Sequence, residues 1–249
     1  MLYSIPDYYK EFSCTADQCE DTCCAGWQIV VDRKSLNRYR HVSGVFKKDL
    51  RRGINWKEGT FRQSTEKRCA FLDEDNLCWM YKNLGEKSLC RTCRLYPRHI
   101  EEFENVREIT LSVSCPEVAK LLLEKEEPVC FLSYEKEGEE TYEEFDYLLY
   151  SMLADAREVM IGIAQNRDKP LGERILLVLG LAHDIERRVR SGNLFTCEEL
   201  FDKYESEAAG KFVHGRLAHY MQQEERRYKE GKHLFRKLYR LEVLKEDWR

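Results

Sequence analysis

The stretch FSCTADQCEDTCCAGW, residues Phe12–Trp27, sets four thiols close together as Cys14-x4-Cys19-x3-Cys23-Cys24. Spacings this short let thiolates converge before the rest of the chain has folded, which is why metal sites use them. Two further sets follow. Cys69 and Cys78 bracket Phe-Leu-Asp-Glu-Asp-Asn, where Asp75 and Asn76 supply a turn between two ligand arms. Cys90-Arg-Thr-Cys93 is a C-x-x-C pair, and Cys115 stands beyond it in Ser-Cys-Pro. Nine of the 11 cysteines therefore fall between Cys14 and Cys115, leaving Cys130 and Cys197 to be read as ordinary buried thiols. Four thiolates complete a tetrahedral zinc site or an iron–sulfur cluster, so nine permit one site with spares or two with one left over. Cys23 and Cys24 are adjacent, and their side chains diverge in a strand or a helix, so one of the two is expected in a given site. The histidines nearest the sets are His41 and His99, which favours all-thiolate ligation and leaves zinc and iron–sulfur equally open.

Disulfides are the competing reading, and compartment decides against them. MLYSIPDYYKEFSC carries Asp7, Lys10 and Glu11 where a secretory signal would be apolar. The longest apolar run, Ile175–Ala182, is far short of the ~20 residues that cross a bilayer. A cytoplasmic protein with no membrane segment is the expectation, and its odd total of 11 cysteines fits a complete disulfide framework poorly. The 249 residues are 43% apolar and 35% charged, so the chain folds, as one large domain or two small ones. Lys+Arg 41 against Asp+Glu 45 leaves a formal charge of -4, which argues against nucleic acid as a partner.

The two halves follow different patterns. Residues 1–128 read as short helices and loops wrapped around something other than a large apolar core. Helices are expected at Arg33–Arg40, around Leu84–Cys93, and after Ser114, where Pro116 suits a first helical turn. WQIVVD from Trp27 and EITLSVS from Glu108 read as strands that pair into a small sheet beside the cysteines. Residues 129–249 read as an α-helical domain. Thr141–Glu144 and Thr196–Glu199 have the capping-box form, Pro170 opens a run closed by Gly192, and Lys211–Arg249 is helix-friendly and densely charged. In that tail Phe212, Leu217, Tyr220, Leu234, Leu238 and Leu241 are the expected inward contacts. The fold class is thus mainly α: a cysteine-rich metal-binding half with a small sheet, then a helical bundle.

Arg91, Arg94 and Arg98, with Lys82 and Lys87, surround the third cysteine set. Their cations suit thiolates and also a bound carboxylate or phosphate, so the three arginines are the candidate cofactor-binding residues.

FxCxAxxCxDxCCAGW at Phe12–Trp27, CAFLDEDNLCWMYKNLGEKSLCRTCRLYPR at Cys69–Arg98, and LSVSCPEVAKLLL from Leu111 together resemble the flagellin lysine-N-methylase family. The likeness runs from about Pro6 to Leu123. It implies methyl transfer from S-adenosylmethionine to lysine side chains of flagellin, with an iron–sulfur cluster, of 4Fe–4S type, bound by cysteines. On this reading the metal ligands come from Cys14, Cys19, Cys23, Cys24, Cys69, Cys78, Cys90, Cys93 and Cys115. Members of the family continue further, and their extra helical region is expected to be missing here.

Two signatures of familiar methyl-donor sites are absent from the sequence. No two of the 13 glycines form G-x-G, so a Rossmann-type nucleotide turn is lacking, and there is no C-x3-C-x2-C triplet. A lysine amine has a reference pKa of ~10.4, so methyl transfer to it needs a deprotonating group or a desolvating pocket. Tyr96, Asp73 and Asp75 are the candidates within the motif. The alternative function is a non-enzymatic zinc- or iron-binding redox module whose helical half docks a partner.

Overall fold

A computed structural model describes residues 1–138 and 146–241. The chain divides into two units, Met1–Glu143 and Glu144–Arg249. The division falls later than the expected 128/129 because strand Phe131–Glu135 pairs with the N-terminus and so belongs to the first unit.

The first unit opens with β1 (Leu2–Pro6), whose alternation buries Tyr3 and Ile5. Beside it lie β4 (Arg98–Phe103), β5 (Val106–Leu111) and β6 (Phe131–Glu135), in the order β4-β5-β1-β6. β4 and β5 form an antiparallel hairpin, β1 runs parallel to β5 with Leu2 opposite Val106, and β6 closes antiparallel on β1. β5 thus lies where EITLSVS predicts a strand, but it does not pair with WQIVVD. That segment instead docks on a small hairpin of β2 (Ile54–Asn55) and β3 (Thr60–Phe61) through the single bridge Val30–Thr60. Ile29 and Val31 point from it into the interior, 3% and 4% exposed, and the backbone N–H of Phe61 donates to Ile29 O at 3.0 Å.

Short helices fill the rest of this unit: α1 (Arg33–Arg40), α2 (Lys47–Gly53), α3 (Trp79–Leu84), α4 (Arg91–Leu95) and α5 (Pro116–Glu124). α1 has the expected bounds, and Pro116 stands at the first turn of α5. The helix expected around Leu84–Cys93 is broken by Gly85, whose φ of +78° no helix accommodates. The interior is more apolar than expected. Ile29, Val31, Tyr39, Leu50, Ile54, Phe61, Phe71 and Met80 form one buried cluster, and Cys69 and Cys90 are members of it. A second, smaller cluster joins Tyr8, Leu111, Cys115 and Val118.

The second unit is helical throughout its described residues: α6 (Tyr147–Gln165), α7 (Leu171–Arg190), α8 (Glu198–Glu205), α9 (Glu207–Met221) and α10 (Glu224–Leu238). α7 is central, burying Leu177, Leu181 and Ile185 against Ala156 and Ile163 of α6 and Leu200 of α8. The capping form at Thr141–Glu144 lies outside the described residues, and α6 is capped by Asp146, which accepts from Leu149 N. The one at Thr196–Glu199 is not used. The Thr196 hydroxyl donates to Asn193 O within a 3₁₀ turn, and Glu199 pairs with Arg188. In the tail, Phe212, Leu234 and Leu241 are exposed rather than inward; on α9 it is Ala209 and Val213 that pack on the core. Among the described residues no helix is long and apolar enough to cross a membrane.

Candidate functional site

Backbone bonds bring the three cysteine sets together. Cys69 N donates to Cys24 O at 2.8 Å, and the neighbouring bridge Ala25–Arg68 lays the first set against the second. The second set is closed by Asp73. Its Oδ1 accepts from Asp75 N and Leu77 N, its Oδ2 takes the Lys82 ammonium at 2.7 Å, and Asn76 supplies the left-handed residue with φ +58°. This loop returns the chain so that Leu72 bridges Cys78, which then caps α3.

The third set is fastened by α1. Tyr39 OH donates to Ser88 O at 2.6 Å, and Arg38 donates to Ser88 O and Leu89 O at 3.0 and 2.9 Å. Asp32 is shared. Oδ1 accepts from Ser35 N to cap α1 and Oδ2 accepts from Arg91 N to cap α4. Burial opposes ionisation of this carboxyl, but the N–H groups of Arg91 and Ser35 outweigh it and hold the pKa down to about 2. Thr92 completes the clamp by donating to Val30 O at 2.7 Å.

Cys24, Cys69, Cys78, Cys90 and Cys93 consequently share one core, with Cys23 at its exposed side. The Sγ atoms of Cys90 and Cys93 are 3.5 Å apart. Cys23 and Cys24 do not diverge: they occupy a turn, where neither strand nor helix geometry applies, and the Cys24 thiol hydrogen-bonds Cys23. That bond lowers Cys23 to about 7 and raises Cys24, and the Cys93 thiol does the same for Cys90, lowering it to about 7. Burial pushes Cys69 up to about 11 and raises Cys78, with the neighbouring thiols adding to both. Among the described residues no three His, Cys, Asp or Glu side chains stand in metal-holding geometry.

Cys14, Cys19 and Cys115 form a separate group. Cys115 is buried at the start of α5 among Tyr8, Phe12 and Tyr96. Burial raises its thiol, and Cys19 and Cys14 are the sulfurs close enough to add to that shift. Tyr96 lies between the groups, its phenol raised first by burial and then by Cys115, Cys23 and Cys19. A phenol shifted this way keeps its proton more firmly, which does not suit a general base. Of the two isolated cysteines, Cys197 is fully buried, as expected, whereas Cys130 is exposed beside Asp7 because β6 begins at the sheet edge.

The arginines divide as well. Arg91 and Arg94 are exposed on α4. Arg98 stacks over the Tyr9 and Phe12 rings at 5.6 and 5.4 Å and donates to Tyr9 OH at 3.0 Å, so it serves the second cluster. His41 meets Asn37 O and His99 meets Glu101. Sequence reasoning missed Asp32, Arg38 and Tyr39, whose role depends on pairings some fifty residues apart. It also missed the contact of Trp27 with Tyr96, whose ring centroids are 6.2 Å apart.

The family model of the FliB lysine N-methylase C-terminal domain matches residues 157–249. That match falls in the second unit. Flagellar biosynthetic protein FliU of Salmonella muenchen is 32% identical over 127 residues, covering 47% of this chain and 75% of that protein. Lysine-N-methylases of Salmonella typhimurium and Salmonella choleraesuis are each 32% identical over 127 residues, again 47% of this chain. The match spans 31% of each of those two longer proteins. No solved structure matches the chain.

Proposed function

The chain belongs to the flagellin lysine-N-methylase family, and from that premise we propose that it transfers methyl groups from S-adenosylmethionine to lysine side chains of flagellin. We propose further that the six thiols Cys23, Cys24, Cys69, Cys78, Cys90 and Cys93 supply the ligands of a 4Fe–4S cluster. The supporting observation is their convergence on one core from three separate parts of the sequence. The donor types suit a cluster, since they are all sulfur, outnumber the four thiolates it needs and are partly shielded from water. No three of these thiols stand in metal-holding geometry here, so binding requires them to close on the metal. When bound, such a cluster supplies one-electron chemistry at a potential set by burial and by hydrogen bonds to its sulfurs.

The chain's own residues do the positioning. α1 holds Ser88–Arg91 and thereby Cys90, while the Asp73 loop sets Cys78 against Leu72. Asp73 is committed to its turn and to Lys82, which leaves it poorly placed to take a proton from substrate. Arg91 and Arg94 remain the exposed cations beside the thiols for an anionic group of the methyl donor.

The test is incubation of anaerobically purified full chain with flagellin and S-adenosylmethionine, read by mass spectrometry beside iron, sulfide and EPR analysis. Methylated lysine with iron and labile sulfide is expected. Stoichiometric zinc without turnover would instead favour a metal or redox module, for which the 3.5 Å approach of Cys90 and Cys93 is the favouring observation.

A further inference from the structure

Trp27 and Tyr96 come from segments far apart in sequence, yet their rings meet at 6.2 Å with a 33° tilt, forming an open wedge. Both rings are held. The Trp27 indole N–H donates to Cys23 O at 2.9 Å, and the Trp27 carbonyl accepts from the Gln63 side chain at 2.6 Å. Tyr96 OH meets Ser114 Oγ at 3.3 Å, and Ser114 Oγ meets Ser112 Oγ at 2.7 Å. The wedge is also accessible. Trp27 is 40% exposed, and a Cβ built on the preceding Gly26 would meet nothing within 4 Å. Gly26 has φ +83°, so only glycine holds the chain here without strain.

Tyr96 packs on the Tyr8, Leu111, Cys115 and Val118 cluster, but Trp27 belongs to none of the apolar cores. A partly exposed indole, pinned by its N–H to Cys23 O and lying beside the half-buried Tyr96 ring, offers an electron-rich face next to a group of sulfurs. Such faces attract cations that lie within ~6 Å of a ring centroid. Arg98, two residues from Tyr96, is engaged with Tyr9 and Phe12 instead.

We propose that Trp27 and Tyr96 form a binding site for an organic cation beside the thiol core, recognising the positive head by ring contact. Resting on the function proposed above, the chemistry has two sources: the ammonium of the acceptor lysine, or the sulfonium of the methyl donor. Both lose their attraction for the wedge when neutralised, which makes the assignment testable with matched pairs.

The experiment uses the full chain, purified without oxygen and labelled with 5-fluorotryptophan. Trp27 is one of 4 tryptophans, and its fluorine signal is assigned by its disappearance in Trp27→Phe. The probes are a lysine peptide against its acetyl-lysine form, and S-adenosylmethionine against S-adenosylhomocysteine. The Trp27 signal is expected to move with the charged member of at least one pair and not with its neutral counterpart. The responding pair identifies the source. Titration calorimetry with the responding probe should show binding weakened about tenfold in Trp27→Ala and less in Trp27→Phe, with the other tryptophan signals in place as the check on folding. Equal responses to charged and neutral members, or none to any probe, overturn the site. Because the readout is binding, a chain that methylates flagellin without these responses refutes the wedge alone. A chain that binds the cation without turnover refutes only the methylase function.

Discussion

Asp32 Oδ2 accepts the backbone N–H of Arg91 at 2.8 Å while Oδ1 of the same carboxylate accepts from Ser35 N at 2.9 Å. One side chain thus caps two helices, and the second begins immediately after Cys90. Asp32→Ala is expected to cost about 1–3 kcal/mol in urea unfolding, since each lost cap is worth up to ~2. Because the folded carboxyl sits at about 2 against an ordinary 3.8, the unfolded chain binds its proton first as pH falls. The stabilisation is therefore fully present above about pH 4 and is lost as pH falls towards 2. Unfolding midpoints of wild type and Asp32→Asn should converge between those values; a constant difference would show that the charge is not responsible.

Gly53 ends α2 directly under the Phe71 ring, and a Cβ there would lie 2.3 Å from Phe71 Cζ. The ring is fixed by edge contact with Phe61 at 5.0 Å and by Trp79. Gly53→Ala should destabilise by about 2 kcal/mol or more despite the better helix former. Gly162, inside α6 with nothing within 4 Å, is the control. Gly162→Ala should stabilise by about 0.5–1 kcal/mol. Thermal unfolding of the two variants checks both signs.

Local features were the legible ones. α1, the Pro116 start of α5, β5 and the helical second unit follow from residue spacing and from proline, which act within a few residues. What spacing could not supply was long-range pairing. β1 is five residues ending in proline, and it becomes a strand only because β5 and β6 reach it from about a hundred positions away. The cysteine sets were visible as sets, but their division depends on where Cys115 is buried, which is fixed by Phe12, Tyr8 and Tyr96 rather than by thiol spacing. Arg98 illustrates the same limit, since it follows Cys90 and Cys93 within one short stretch of sequence while its partners in space are the Tyr9 and Phe12 rings.

Serine substitutions should separate metal binding from stability. Cys69→Ser, Cys78→Ser, Cys90→Ser and Cys93→Ser are expected to reduce iron content and the visible absorption of anaerobically prepared protein. Cys197 is fully buried in the helical unit. Cys197→Ala should lower stability by about 1–2 kcal/mol through lost packing and leave iron content unchanged. Iron loss in that variant would mean that the second unit contributes to the centre.

The arginines give a sharper discrimination, because two physical roles predict opposite readouts. Arg98 lies over Tyr9 and Phe12 and bonds Tyr9 OH, a stacked and directional arrangement that lysine cannot reproduce. Arg98→Lys should therefore lower unfolding stability by about 1–2 kcal/mol, and any loss of donor affinity should follow the loss of fold. Arg91 and Arg94 are exposed, and only the backbone N–H of Arg91 is used in the α4 cap, which any residue except proline retains. Arg91→Gln and Arg94→Gln should unfold within about 0.5 kcal/mol of wild type. If these two cations hold an anionic group of S-adenosylmethionine, the same variants should weaken its binding, and the effect should shrink as salt is raised. Titration calorimetry at two ionic strengths, beside urea unfolding of all three variants, separates the outcomes. Unchanged donor affinity in both glutamine variants would remove the arginines from the cofactor site.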